Sequence, residues 1–326
     1  TEDASIGMGG PAMIEGGGLG VVAAEDVGPV AMQSRNGVVD VVVRDEAEAV
    51  AVAKRYLSYF QGPLRDWHCA DQRLLRHVVP EDPRRAYDMR RVIELLADEG
   101  SLLELQRSHG TGVITALVRI EGHPFAILAN NPVHLSGAID AAASEKAARF
   151  IAQAQSGGLP VVALCDTPGF MVGPDAEAEG LVRRAGRMFI AGANVTVPYF
   201  TVVVRKAYGL GAVAMVGGNA HEQVFAVSWP TGHFGKMGLE GYVKLAYRKE
   251  LEQIADPQAR RRRVDEMVAA MHAKGTALKT APFLSIDDVI DPMDTRRWLV
   301  DGLITARQQR GGPAATASGP DEQTMY

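Results

Sequence analysis

The sequence predicts an α/β fold in which repeated strand and helix units build a sheet covered by helices. Three observations carry this. Between residues 101 and 304, short apolar runs rich in Val, Ile and Leu alternate with segments of helical spacing. Most of these runs end in glycine- or proline-containing loops that lead into the next helix. The chain has 326 residues, 47% of them hydrophobic, enough for one large or two modest domains with full cores.

Residues 1–20 read as a glycine turn at Gly9-Gly10-Pro11, with Pro11 suited to the first position of a short helix. Asn36-Gly37 is a turn, and 38–43 is a short apolar strand carrying Asp40. Asp45 can cap the helix that follows, with Glu48 completing a capping-box pattern. Val50, Ala53, Leu57 and Phe60 recur there at helical spacing and are expected to face a core. Over 61–83 the periodicity disappears, and Pro63, Pro80 and Pro83 mark an ordered linker draped over a surface. Its Trp67-His68-Cys69 offers too few ligands for a metal site, so no metal is expected. Helices are predicted over 87–96 and 101–107.

The second block opens with a hairpin of 113–121 and 125–129 around Gly122-His123. A loop at 130–137 precedes a helix over 139–154, whose alanines allow close approach to a sheet. A strand at 160–165 leads through the loop 166–174 to a helix over 176–191. Next come a strand at 201–204, the basic pair Arg205-Lys206, the turn Gly209-Leu210-Gly211 and a helix of small residues. A strand at 224–227, a loop at 229–238 and a helix over 239–255 follow. The helix to residue 273 contains the run Arg260, Arg261, Arg262, Arg263, read as a solvated face, with anion binding as the alternative. Residues 286–304 close the block, and the tail 306–326, rich in Gly, Pro, Ser and Gln, is expected to be mobile.

The stretch 199–218 holds the clearest chemical pattern. A strand, a glycine turn and a helix in that order leave the first helical N–H groups facing one point, where a negatively charged oxygen can sit. The same pattern also describes an ordinary βα loop whose glycines ease packing, and both readings stay open at this level.

A formal net charge of −5 and 22% charged residues argue against a nucleic-acid partner. Two cysteines, Cys69 and Cys165, speak against a disulfide scaffold and for a reducing, cytoplasmic setting. No apolar run reaches the ~18 residues of a membrane helix, and no secretory signal opens the chain, so no membrane role is expected. Residues 36–57 and 285–303 echo each other, each with a β-branched, Asp-containing run before an acid-capped helix. Met8-Gly9-Gly10 and Met237-Gly238 precede them as helix-opening turns. The chain is therefore expected to contain parts of two copies of one unit. The strands of the first copy would then precede Thr1, making this a downstream piece of a longer protein.

Four motifs, Ala129 to Pro132 (ANNP), Cys165 to Gly173 (CDTPGFMVG), Arg205 to Met215 (RKAYGLGAVAM) and Trp229 to Gly241 (WPTGHFGKMGLEG), resemble the carboxyltransferase component of biotin-dependent acyl-CoA carboxylases. The propionyl-, acetyl- and methylcrotonyl-CoA enzymes belong to this group. The motifs occur in one order, and the resemblance covers nearly the whole chain to about residue 304. It implies a crotonase-like ββα fold: 1–60 as the end of a first domain, 61–100 as a linker with a helix, 101–305 as the second domain and 306–326 as a tail.

The resemblance further implies carboxyl transfer from carboxybiotin to the α-carbon of an acyl-CoA. In such chemistry two oxyanions need main-chain donors at one site. The biotin oxygen would fall to the N–H groups of Leu210 and Gly211, where Leu210 stands in place of a glycine found in propionyl-CoA-type members. Gly169, Phe170, Tyr208 and Gly209 would border the biotin, Val213 the acyl chain, and Lys206 would attract an anionic group of the substrate or form a surface pair. Asp166 and His233 are read as capping and packing groups. The implied partners are an upstream carboxyltransferase half or subunit, biotin carboxylase and a biotin carrier protein, in an oligomer such as a hexamer. Decarboxylation by the same route and a non-catalytic scaffold remain alternatives. A crotonase-type hydratase is disfavoured because no Glu is placed as a base beside the glycine donors.

Overall fold

The computed structural model describes residues 1–82, 85–218, 223–283 and 285–309. Eight strands form one mixed sheet: β1 (Leu103–Leu105), β2 (Val113–Ile120), β3 (His123–Asn130), β4 (Val161–Thr167), β5 (Tyr199–Tyr208), β6 (Phe225–Ser228), β7 (His233–Gly235) and β8 (Asp288–Val289). Their order is β1-β2-β3-β4-β5-β6-β8, with β7 also pairing β5. The edge from β1 to β3 is antiparallel, and β3 to β8 run parallel. Glu121 and Gly122, both at positive φ, make the two-residue hairpin turn between β2 and β3.

The helices are α1 (Pro11–Gly16), α2 (Val30–Gln33), α3 (Glu46–Ser58), α4 (Met89–Leu96), α5 (Ala141–Ser156), α6 (Pro174–Ala178), α7 (Leu181–Ala193), α8 (Gly209–Met215), α9 (Leu239–Ala246), α10 (Arg248–Glu252), α11 (Pro257–His272), α12 (Ala277–Thr280) and α13 (Thr295–Gln309). Alternate side chains of the parallel strands divide the core into two layers. Val162, Leu164, Phe200 and Val202 face α4 and α13. Val161, Ala163, Cys165 and Val203 face α5, α7 and α8. Asp45, Asp88, Asp140 and Asp256 each cap a helix by accepting main-chain N–H groups.

The structure departs from the sequence expectations at several elements. Residues 101–107, expected as helix, hold strand β1: Leu103 and Leu105 are buried in alternation and Thr115 pairs with Leu105. The 38–43 run forms no strand and bends at Val38 and Asp40. Gln106 donates to the Asp40 carbonyl (2.7 Å), and its positive φ turns the chain away where pairing would have continued. The expected helix 176–191 divides into α6 and α7 at Gly180, which has φ 73°. The helix 239–255 divides into α9 and α10 at Tyr247.

Helix α3 presents a different face from the expected one. Tyr59 at its end is 1% exposed, with its hydroxyl bonded to the Ser101 carbonyl and the Arg119 guanidinium 5.5 Å from its ring. Anchoring that aromatic ring turns Val50, Leu57 and Phe60 outward. The linker 61–83 is ordered as far as it is described, with a 3-10 turn (Gln72–His77) that buries Leu75; Pro83 lies outside the described residues. At the other end, helix α13 continues through Ala306 to Gln309, into the segment expected to be mobile, and 310–326 lie outside the described residues.

Candidate functional site

The parallel strands β4 and β5 end side by side, and the segments leaving them form the site. Open α/β sheets bind ligands at such carboxyl ends. After β4, Thr167 Oγ accepts from the Gly169 N–H (3.1 Å) and donates to the Gly169 carbonyl (3.2 Å). Ile139 N–H donates to the same carbonyl (3.0 Å) and Met171 N–H to the Ile139 carbonyl (2.9 Å), so the 169–171 segment is held as a short parallel bridge. The Phe170 ring stands 6.0 Å from that of Phe189 on α7.

Strand β5 runs four residues beyond the predicted strand and takes in Arg205 and Lys206. It passes at Tyr208 directly into α8, for which Tyr208 is the N-cap residue. Gly209 has φ 57°, and a Cβ there would lie 2.8 Å from the Lys236 carbonyl oxygen. Gly211 is pressed against the β4 loop: a Cβ would stand 2.7 Å from the Gly169 Cα and 3.0 Å from the Phe170 nitrogen. Both glycines are therefore required by the geometry. The first N–H groups of α8 have no carbonyl one turn earlier in the helix to bond. Leu210, 68% exposed, and Val213 carry their side chains into solvent.

Beneath the turn lies a buried ionic cluster. Asp166 is fully buried and accepts from Arg205 Nε (3.0 Å) and the Lys206 main-chain N–H (3.1 Å). Arg205 donates to the Arg85 carbonyl (2.8 Å) and stacks over Tyr87 at 4.8 Å. The Lys206 ammonium donates to the Ser136 carbonyl (2.6 Å) and stands 3.5 Å from Asp166. Burial holds the Lys206 pKa below that of a free lysine, against the pull of Asp166 in the other direction. The Ser136 end of this tie is a backbone at positive φ, shared with Leu135 and Gly137.

A second cluster supports Tyr208. Its hydroxyl meets His233 Nδ1 at 2.9 Å, and His233 Nε2 meets the His272 carbonyl at 3.0 Å. Burial raises the Tyr208 hydroxyl to about 12 and lowers the His233 imidazole below its usual value.

The structure thus brings together Gly169, Phe170, Tyr208, Gly209, Leu210 and Gly211, drawn from two loops about forty residues apart. Val213 lies one turn further along α8. Tyr208 is present through its backbone, since its ring is buried and bonded to His233. Lys206 is adjacent, but its ammonium already has partners. Asp166 proves to be an ion-pair centre, not a cap. The strand β7, which supplies His233 and leads to Lys236 and its contact with Gly209, escaped the sequence reading, because three residues inside a glycine-rich loop show no alternation. A separate cleft of ≈ 480 Å³ lies between residues 39–42 and α4, away from the two glycine loops. Arg90 and Glu104 in its wall pair with each other at 2.6 Å.

A family model described as a carboxyl transferase domain matches residues 1–315. The chain is 35% identical over 325 residues to the methylmalonyl-CoA carboxyltransferase 12S subunit of Propionibacterium freudenreichii subsp. shermanii, covering 95% of this chain and 61% of that protein. It spans similarly partial lengths of other curated relatives, such as 55% of a propionyl-CoA carboxylase carboxyltransferase subunit from Haloferax mediterranei. Among solved structures, a single-chain, multi-domain long-chain acyl-CoA carboxylase matches with TM-score 0.87 and 55% identity, over 92% of this chain and 29% of that one. The transcarboxylase 12S structure, solved as a hexamer with methylmalonyl-CoA bound, matches with TM-score 0.82 and 30% identity, over 100% and 63% of the two chains.

Proposed function

The chain belongs to the carboxyl transferase domain family, has its crotonase-like fold, and on that premise we propose that it forms the biotin-facing half of an acyl-CoA carboxyltransferase site. The observation that carries the proposal is the turn at 209–211. Its Leu210 and Gly211 N–H groups open at the end of β5 with Gly211 flush against Gly169.

The residues present fit a ureido oxygen. Two main-chain donors stand in the first turn of α8, Gly211 leaves no Cβ in the way, and the nearby Asp166 carboxylate is buried and paired, so it does not repel an anion at the turn. When bound, carboxybiotin supplies the carboxyl group and, once that is released, the base for the α-proton of the acyl-CoA. The chain's part is to hold an oxygen on which negative charge grows, using dipoles already oriented before the reaction. Gly169 and Phe170 shape the wall of the channel. The exposed apolar side chains of Leu210 and Val213 suit an alkyl chain beside it.

We assign residues 101–305 to the second of two crotonase-like units, 1–60 to the end of the first, 61–100 to their connection and 306–326 to the tail. Residues 1–60 contribute no strand to the eight-stranded sheet among the described residues, which supports that division. The donors for the thioester oxygen would come from the first unit, in this polypeptide or another. Working partners would be a biotin carboxylase and a biotin carrier protein, in a hexameric assembly like that of the 12S relative. Among the described residues no helix is long and apolar enough to cross a membrane. We place the protein in the cytoplasm, which its two unbonded cysteines support.

The test uses two variants at one position in the assembled carboxylase. Leu210→Pro removes the N–H within the first helical turn, where proline is tolerated; Leu210→Ala keeps it. The expected result is a loss in kcat of about 10²–10³ for Leu210→Pro and less than about threefold for Leu210→Ala. Equal rates for the two variants would remove the turn from the reaction and leave a scaffold role.

A further inference from the structure

We propose that His233 is a positioning residue for the 209–211 turn: neutral, it fixes Tyr208 and so aims the Leu210 and Gly211 donors, and protonated, it reverses its bond to Tyr208 and shifts them. Its effect on rate rests on the carboxyl-transfer reading; its effect on the turn does not.

The direction of the hydrogen bonds follows from the acceptor at one end. The His272 carbonyl can only accept, so Nε2 of His233 carries the hydrogen. In the neutral ring Nδ1 is then a bare acceptor, and the Tyr208 hydroxyl donates to it. The ring is held from every side. It is 3% exposed and stacks on the His272 ring at 4.3 Å. A Cβ on Gly275 would lie 2.6 Å from its Cε1, so the 275–276 backbone sits directly against it. Tyr208 is gripped in turn. A Cβ on Gly235 would be 3.3 Å from its ring, and the Lys236 carbonyl closes over Gly209. Tyr208 is the residue from which α8 starts, so the bond that anchors its ring also anchors the backbone at the head of the turn.

Adding a proton to Nδ1 sets N–H against O–H. The bond then has to reverse, with the Tyr208 oxygen accepting from Nδ1, and the Tyr208 hydrogen loses its acceptor and turns away into a buried space. Burial opposes the new charge most strongly. From α11 comes His272, whose carbonyl favours the charge through its hydrogen bond while its ring opposes it. From β5 comes Lys206, in register with His233, with its ammonium bonded at Ser136 and close to Asp166. Asp166 and Arg205 act on Tyr208 from behind as an ion pair. The 275–276 turn contributes backbone only. No carboxylate pairs with the imidazole among the described residues, and burial outweighs the His272 carbonyl and keeps the ring neutral at pH 7. Acidification below its lowered pKa charges it.

The experiment compares wild type, His233→Gln, His233→Ala and Tyr208→Phe as full chains within the carboxylase assembly, from about pH 5 to 8. Glutamine can accept from Tyr208 and donate to His272 without titrating. Wild-type kcat should fall on the acid side to a plateau about tenfold lower, with KM for acyl-CoA changed less than twofold. His233→Gln should lose that acid limb. His233→Ala and Tyr208→Phe should lie about tenfold below wild type in kcat at pH 8, by misplacement of the turn, and show no acid limb of their own. In parallel, NMR of the full chain should show the Nε2–H tautomer at neutral pH, and Gly209 and Gly211 amide signals that move with the His233 titration in wild type but not in His233→Gln. Amides that ignore the titration, or an acid limb that survives in His233→Gln, would overturn the proposal. Amides that follow it in a chain showing no carboxyl transfer would uphold the positioning role and overturn the carboxyl-transfer reading instead.

Discussion

Single residues decide how the turn is built. A methyl group at Gly211 would push into the Gly169 Cα, which is main chain and has no rotamer to yield. Gly211→Ala should lower stability by about 1–3 kcal/mol, as overpacking does. Because the β4 loop must shift, it should also reduce kcat by about tenfold or more. Thermal melting and steady-state rates of the assembled enzyme check the two parts separately. The turn was legible in the sequence because strand, glycine and small-residue helix follow one another within ten residues. The ion pair beneath it was not. Asp166 and Arg205 stand 3.0 Å apart across two strands, and no local pattern joins residues that lie on different strands. The Tyr208 to His233 bond was hidden for the same reason.

Elements were legible where they were long. The hairpin of β2 and β3 and helices α5 and α11 follow their periodicity and capping residues to within a few positions. Short strands were not, since two or three residues contain no full period of alternation. Helix α3 shows a different limit: two faces of it are apolar, and the choice between them is made by Tyr59, whose partners Ser101 and Arg119 are distant in sequence. Helix α13 depends on a similar distant contact. Arg296 donates to Asp98 (2.7 Å) and to the Leu96 carbonyl (2.7 Å), both sides being nearly fully buried, while Asp98 also accepts the Glu121 and Gly122 N–H groups of the hairpin. Asp98→Asn or Arg296→Met should each cost about 3–5 kcal/mol by leaving a buried partner uncompensated. The double variant should cost less than the sum. Chemical denaturation of the four proteins gives the coupling directly.

At the scale of the molecule, burial ties folding to alkaline pH. The hydroxyls of Tyr59 and Tyr208 are raised to about 12 because ionising them would place a charge in the core. An unfolded tyrosine ionises near 10, so the unfolded state loses its protons first. Stability from these groups is whole below pH 10 and is lost as pH rises toward 12, by roughly 2–3 kcal/mol for each tyrosine. Tyr59→Phe should flatten part of that slope, as read from denaturant midpoints between about pH 9 and 11.5. The α/β architecture and the order of the second block were legible at this scale because repeated βα units leave few ways to connect. The relation of residues 1–60 to the sheet was not, since it depends on which apolar face α3 presents.

Strand β5 has two different neighbours along its outer edge. Its first half, Phe200 to Val203, pairs with β6, and its last residues, Lys206 to Tyr208, pair with the three-residue β7. The β6 half lies in the core, whereas the outer edge of the last residues is held by a three-residue ladder and the His233 contacts, with β4 and Asp166 on the inner side. Short edges of this kind open locally more readily than a core does. The donors of the turn are thus rigid during a bond-making event yet able to part company with the sheet over a catalytic cycle. A bulky ring carried on a tether could then enter and leave without disturbing the fold.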